Sequence, residues 1–229
     1  MKYGLIGSDL SRSPSKEIHN NLGNNDYVLK ELKPEEFPGF MATGDFLGLN
    51  VTMPYKKAVM PYCDTLGEEA KLCGNVNTLT RLKDGSLKGD NTDYPALLWC
   101  LKKYLKQNGA DLNNSTGVIC GSGGAGQTGA AALKSLGAKA VILSRDGKQG
   151  VDYKDIESYA GACIIINAAP VDIPKIVLDT LKGEDLKLIF DFRYKVELPR
   201  IGVSACDGYE LLLKQAELSV EIWKDIHKI

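Results

Sequence analysis

From Gly117 to Ser144 the chain reads as strand, glycine-rich turn, helix and second strand, and few folds accommodate that order. Gly117–Cys120 is an apolar strand; GSGGAGQTGAAALKSLG follows, and Lys139–Leu143 is strand-like again. Gly121 permits the tight turn, and Gly123 and Gly124 let backbone approach a diphosphate at the positive end of the helix. A lone glycine motif is a weak signal, but this one sits between the elements that a dinucleotide site requires. The alternative is a purely structural glycine turn. The second strand closes on Ser144-Arg145-Asp146. An acidic residue there binds the ribose hydroxyls of NAD, whereas an arginine accommodates the 2′-phosphate of NADP. Arg145 comes first, so NADP is favoured, with NAD kept as the alternative by Asp146. Only the residues from Asp146 to Cys163 separate this strand from the next, Ile164–Asn167. A full βαβ unit takes about thirty residues, so one crossover helix or strand is expected to be missing or reduced. Leu186–Asp191 is a further strand, and Asp207-Gly208 opens a final helix over residues 209–229.

The amino-terminal half carries a different kind of signal. Lys2–Ile6, Asp26–Leu32 and Phe46–Val51 read as strands, and the third delivers Asn50, Thr52 and Lys56 to its carboxyl end, where open α/β sheets bind ligands. The chain has only two histidines, His19 and His227, so the usual neutral-pH proton carrier is scarce. A lysine performs acid–base work when its surroundings tune it, and Lys56 in NVTMPYKK is the candidate. Asp93 in GDNTDY is the partner expected to hold it. A solvated lysine pair after a strand is the plainer reading. Ser13 and Ser15 flank the start of a helix expected near Ser15; they suit a small anion such as a carboxylate, or simple N-capping. Lys33–Gly39 reads as a Pro-interrupted connection with one helical turn, and Tyr62–Leu72 as helical. Asn75–Arg81 and Leu87–Asp90 form a hairpin about Asp84-Gly85. Asn75, Asn77, Asp90, Asn91 and Asp93 crowd together there; they suit hydrogen bonds to hydroxyl groups, although turn chemistry favours the same residues. Pro95–Gln107 is a one-faced helix, and the polar piece Asn108–Thr116 reads as a domain boundary.

Composition removes other function classes. The 229 residues carry a formal net charge of −1, which gives no general electrostatic reason to expect nucleic acid or an anionic membrane. Six cysteines (Cys63, Cys73, Cys100, Cys120, Cys163, Cys206) are scattered without a C-x-x-C pair, which argues for reduced thiols and against a zinc site. No metal is expected. The longest apolar run, around Ala162–Ile166, is too short to cross a bilayer, and no signal peptide opens the sequence, so the expected location is cytoplasmic.

With these residues laid out, the chain resembles the shikimate dehydrogenase family, which includes shikimate and quinate dehydrogenases, nearly end to end. Gly7, Ser13, Ser15 and Ile18–Asn20 resemble the family's opening; Asn50–Lys56 is similar to its N-V-T-x-P-x-K, and Val76–Leu79 and Gly89–Asp93 to its V-N-T-L and G-D-N-T-D. Gly121–Ala125 resembles G-x-G-G-A, and Asp191, Tyr194, Asp207, Gly208, Gln215 and Ala216 resemble its later signatures. The departures are Pro14 and Lys16 in the serine loop, Ser144 and Asp146 around Arg145, and Asn167-Ala168-Ala169-Pro170, which lacks two hydroxyls of the family's Asn-Ala-Thr-Ser.

The resemblance implies a two-domain α/β protein: a substrate-binding domain over 1–93 completed by the helix 208–229, and a Rossmann-like domain with a reduced sheet over 94–207. It implies reversible NADP-linked reduction of 3-dehydroshikimate to shikimate in aromatic amino-acid (chorismate) biosynthesis. Lys56 would be the general acid/base with Asp93. Ser13 and Ser15 would hold the substrate carboxylate; Asn77, Asp93 and Gln215 would bind ring hydroxyls, with Thr52 and Tyr194 nearby. Gly121, Gly123, Gly124, Ala125, Ser144, Arg145, Asn167 and Ala168 would serve the cofactor. The alternatives are a quinate/shikimate enzyme using NAD and a shikimate-binding homologue with impaired cofactor binding. The assembly to expect, if the chain self-associates, is a homodimer.

Overall fold

The computed structural model describes residues 2–145, 147 and 149–227. The chain divides into two compact units, Met1–Pro95 with Leu213–Ile229, and Ala96–Leu212. The polar piece Asn108–Thr116, expected as a boundary, therefore lies inside the second unit.

The first unit runs β1 (Tyr3–Gly7), α1 (Ser15–Asn21), β2 (Tyr27–Glu31), α2 (Phe37–Thr43), β3 (Gly48–Val51), α3 (Tyr55–Ala58), β4 (Thr65–Leu66), α4 (Glu68–Cys73), β5 (Thr78–Arg81) and β6 (Leu87–Asp90), and ends in the start of α5 (Asp93–Gln107). Its six strands lie in the order β2-β1-β3-β5-β6-β4. β1 pairs in parallel with β2 and β3, while β3-β5 and β5-β6 are antiparallel, the latter being the expected hairpin. β1 is buried along its whole length, as a strand covered on both faces must be. Ile6 enters one core with Leu49, Val51, Leu79, Phe37 and Tyr55. Tyr3 and Leu5 enter another with Tyr27, Val220 and Trp223. The carboxyl-terminal helix thus completes the sheet's second face, and the Trp223 indole N–H donates to the Leu79 carbonyl at 3.1 Å. Two expectations change here. The single turn in Lys33–Gly39 is a longer helix, α2, displaced toward Thr43. Tyr62–Leu72 is not one helix: a 3-10 turn at Met60–Tyr62 precedes β4, which pairs with β6, and only then does α4 begin.

The second unit continues α5 and contains β7 (Thr116–Cys120), α6 (Gly124–Ser135), β8 (Lys139–Ser144), β9 (Val151–Asp152), β10 (Ile164–Asn167), α7 (Lys175–Leu181), β11 (Leu188–Asp191) and β12 (Ser204–Cys206), then enters α8 (Tyr209–His227). The order β12-β11-β10-β7-β8-β9 is parallel throughout, the doubly wound arrangement of a dinucleotide fold. The sheet keeps six strands; what is reduced is the crossovers beyond β8. Among the described residues no helix stands between β8 and β9, and a 3-10 segment, Tyr153–Tyr159, stands between β9 and β10. Val118, Val141, Ile165 and Ile189 form its core with Ile156, Val177 and Leu181.

Candidate active site

In the first unit the β3 carboxyl end carries the chain into the short α3, and α5 begins at Asp93. Lys56 Nζ donates to Asp93 Oδ2 at 2.6 Å, with both side chains largely shielded. Lys57 next to it is exposed. A charge-assisted contact that short holds the ammonium in one place, so the solvated-pair reading applies to Lys57 and not to Lys56. The backbone fixes the lysine as well, because Val76 N donates to the Lys56 carbonyl at 2.8 Å. Asn77 is buried, its Oδ1 accepting from Thr92 N at 2.7 Å and from Thr78 Oγ1 at 3.0 Å. Thr52 is half-buried and donates its backbone N–H to Ile6 at 2.9 Å, which seats it beside the loop after β1. A Cβ on Gly7 would lie 2.6 Å from the Thr52 methyl, so only glycine lets the two loops approach.

Ser13 Oγ donates to Ser15 Oγ at 3.0 Å. The same Ser13 hydroxyl accepts the backbone N–H of Ser15, the first residue of α1, at 3.3 Å, so it serves the helix start even though Pro14 holds the cap position. Gln215 is buried on α8, and its carbonyl accepts from Ser219 Oγ at 2.9 Å. Of the crowded amides, Asn91 proves structural: its Nδ2 donates to Asn75 and its Oδ1 accepts from Tyr94 N at the start of α5. Asp90 is buried against Lys88 at 3.0 Å.

The second unit holds the glycine turn, which fits a dinucleotide. Gly121 has φ +108°, and a Cβ there would press on the Ala168 backbone at 3.2 Å. Gly123 precedes α6, no side chain caps that helix and no acidic residue sits in its first turn. A Cβ on Gly123 would meet nothing within 4 Å, so the space beside this residue, where a diphosphate would approach the start of α6, is open. Gly124 opens the helix and Ala125 follows it, both half-buried. At the end of β8 the Ser144 hydroxyl is buried without a hydrogen-bond partner among the described residues, and Arg145 is exposed. Asp146 lies outside the described residues. Asn167 is turned inward, donating to the Val171 carbonyl and to Asp191 Oδ2, both at 2.9 Å, which leaves Ala168 as the half-buried neighbour of the glycine turn. Tyr194 belongs to the second unit, half-buried, with burial raising its hydroxyl above the ordinary tyrosine value. Asp191 is committed to Arg193, at 2.8 Å from Nη2.

The chain as a whole is similar to known proteins. Residues 5–79 match the shikimate dehydrogenase substrate binding domain. The shikimate dehydrogenase (NADP(+)) of Clostridium beijerinckii is 32% identical, covering 97% of this chain and 92% of its own length. The chain belongs to the shikimate dehydrogenase family. The Sulfolobus acidocaldarius shikimate dehydrogenase (NADP(+)) is 31% identical over 96% of this chain and 88% of its own. The crystal structure of shikimate dehydrogenase 1 from Peptoclostridium difficile aligns with a TM-score of 0.83 at 29% identity, covering 98% of this chain and 92% of that one.

For a member of the shikimate dehydrogenase family, sequence reasoning passed over two kinds of residue. Gly126 is the last glycine of Gly121-x-Gly123-x-x-Gly126, and a Cβ there would collide with the Gly121 carbonyl oxygen. The motif spacing alone signals it. Thr78, Thr92 and Ser219 form a buried hydroxyl cluster behind Asn77. No sequence pattern marks that cluster, because α8 brings Ser219 there from the far end of the chain.

Proposed function

We propose that the protein catalyses the reversible, NADP-linked reduction of 3-dehydroshikimate to shikimate. The observation that carries this reading is the shielded Lys56–Asp93 contact in the first unit of a chain that belongs to this family. The curated relatives named shikimate dehydrogenase (NADP(+)) support the substrate and the cofactor. A bound nicotinamide supplies the hydride; the chain's own residues bind, orient and move one proton. The Lys56 ammonium donates that proton to the ketone oxygen as it becomes an alcohol, and takes it back in the reverse direction. Asp93 keeps the ammonium aimed and accepts from a ring hydroxyl. Asn77 and Gln215 hold further ring hydroxyls, the paired hydroxyls of Ser13 and Ser15 hold the carboxylate, and Thr52 supports that end of the sheet. Gly121, Gly123, Gly124 and Ala125 hold the diphosphate on the first turn of α6, with Ala168 against the turn. Ser144 and Arg145 take the 2′-phosphoribose: Ser144 has an uncommitted hydroxyl and Arg145 a cation facing solvent.

Steady-state assays following reduced-nicotinamide absorbance test this directly. Shikimate with NADP⁺ is expected to give the highest kcat/KM among the four combinations of shikimate or quinate with NADP⁺ or NAD⁺. Shikimate binding without NADP⁺ reduction would overturn the catalytic reading, and faster turnover of quinate would overturn the substrate.

A further inference from the structure

Ser219 lies on the inward face of α8, a polar residue among Ala216, Val220 and Trp223. It is fully buried, and its hydroxyl touches four groups. It donates to the Gln215 carbonyl at 2.9 Å, accepts from Asn50 Nδ2 at 2.9 Å, and contacts Thr78 Oγ1 at 3.1 Å and Thr92 Oγ1 at 3.2 Å. A hydroxyl has one proton and two lone pairs. With that proton on the Gln215 main-chain carbonyl and one lone pair taken by Asn50 Nδ2, Ser219 keeps one acceptor site, which only one of the two threonines can fill.

This polarity runs onward to Asn77. The remaining acceptor site of Ser219 falls to Thr92: Asn77 Oδ1, 3.2 Å from Thr92 Oγ1, already takes two other protons, so Thr92 directs its proton to Ser219 at 3.2 Å and its lone pair to Asn77 Nδ2, 3.0 Å away. Thr78 gives its proton to Asn77 Oδ1, which also accepts the Thr92 backbone N–H at 2.7 Å. The amide oxygen is then saturated from within the protein. The amide nitrogen, having given one proton to Thr92, keeps a second to offer.

We propose that Ser219 is a positioning residue for the reaction: it sets the hydrogen-bond direction of Thr92 and so fixes Asn77 as a donor toward a substrate hydroxyl oxygen. The same hydroxyl ties the main chain of the Gln215 turn of α8 to this array. The inference rests on the reading above that Asn77 binds shikimate.

A double-mutant cycle with Ser219→Ala and Asn77→Ala tests it, with wild type in parallel. Ser219→Ala is expected to raise the KM and Kd for shikimate about five- to tenfold, the size of one well-aligned buried hydrogen bond, with kcat within about twofold. The KM for NADP⁺ should stay at the wild-type value. In the Asn77→Ala background the same change should cost less than about twofold, because its route to the substrate is gone. A structural role predicts instead an equal penalty in both backgrounds, and that result, or an unchanged KM in the single variant, overturns the inference. If Ser219→Ala lacks a cooperative unfolding transition, Thr92→Val replaces it, removing the next hydroxyl in the path at nearly constant volume, with the same pattern required. Wild type that neither binds nor turns over shikimate overturns the substrate reading itself; wild-type turnover with an additive cycle overturns only the role of Ser219.

Discussion

Acidification should weaken the first unit through one side chain, His19. Its ring is fully buried on α1, stacked on Tyr27 with centroids 3.8 Å apart and planes within 5°. Neither ring nitrogen has a hydrogen-bond partner among the described residues. Burial therefore favours the neutral ring and pulls its pKa from the ordinary 6.5 to about 4, with the nearby Asn50 side chain opposing only part of the shift. The unfolded chain takes up a proton below about pH 6.5, while the folded chain refuses it until about pH 4. Stability from this group is present above the unfolded value and is lost as pH falls through that window. Roughly 2 kcal/mol should be gone at pH 5 and roughly 3 kcal/mol below pH 4, at about 1.4 kcal/mol per pKa unit.

That is a large fraction of the stability of an ordinary domain, about 5–15 kcal/mol. The chain has two tryptophans, and only Trp223 is buried, 5.7 Å from the His19 ring. In a Trp99→Phe background, urea unfolding followed by Trp223 fluorescence thus reports on the surroundings of His19. His19→Phe keeps an aromatic ring on Tyr27 and removes no hydrogen bond, so its stability should fall less steeply with pH by the stated amount. Parallel pH dependences for the two proteins between pH 7 and 4 would refute the reasoning, because other acidic groups contribute equally to both.

Three further outcomes follow from the site. Lys56→Ala should lower kcat about 10²- to 10⁴-fold, the usual worth of a positioned proton donor, while the Kd for shikimate changes only a few-fold; a large binding loss with unchanged kcat would assign Lys56 a different task. Arg145→Ala should raise the KM for NADP⁺ about tenfold or more and leave that for NAD⁺ nearly unchanged, since only the 2′-phosphate needs the cation; equal effects would exclude that contact. Gly126→Ala should destabilise the second unit through collision with Gly121, whereas Gly123→Ala, with nothing within 4 Å of its new methyl, should leave the melting temperature in place and weaken NADP⁺ instead; the reverse pattern in thermal melts and cofactor titrations would refute the fit.

Most of what was legible in the sequence is local. The β7-α6-β8 unit follows from an apolar strand, glycines and a helical period within one stretch, and the hairpin of β5 and β6 from Asp84-Gly85. Lys56 and Asp93 stood out because each follows a strand that ends at the ligand-binding side of the sheet. What escaped depends on partners distant in sequence. β4 is the two residues Thr65–Leu66, strand only because Lys88 and Gly89 present their backbone to it. β12 is recognised by its pairing with β11. A serine in a helix is unremarkable until α8 is docked, and only then does Ser219 meet Asn50, Thr78 and Thr92.

The shortened crossover shows the limit of reading length as loss. The stretch between Ser144 and Ile164 is too short for a full crossover, so a strand or helix had to give way, and it was the helical part that did. β9 still pairs with the end of β8, through Leu143–Val151 and Ser144–Asp152, and the six-strand order survives. A two-residue pairing suffices because Val151 and Tyr153 pack on the core that Val141 and Ile156 already build. Arg145 directly follows β8 and lies in no helix. Cofactor selectivity in this chain should accordingly depend strongly on Arg145 and the Ser144 hydroxyl at that edge. That makes the Arg145→Ala comparison of NADP⁺ with NAD⁺ the measurement that separates a reduced fold from a reduced function.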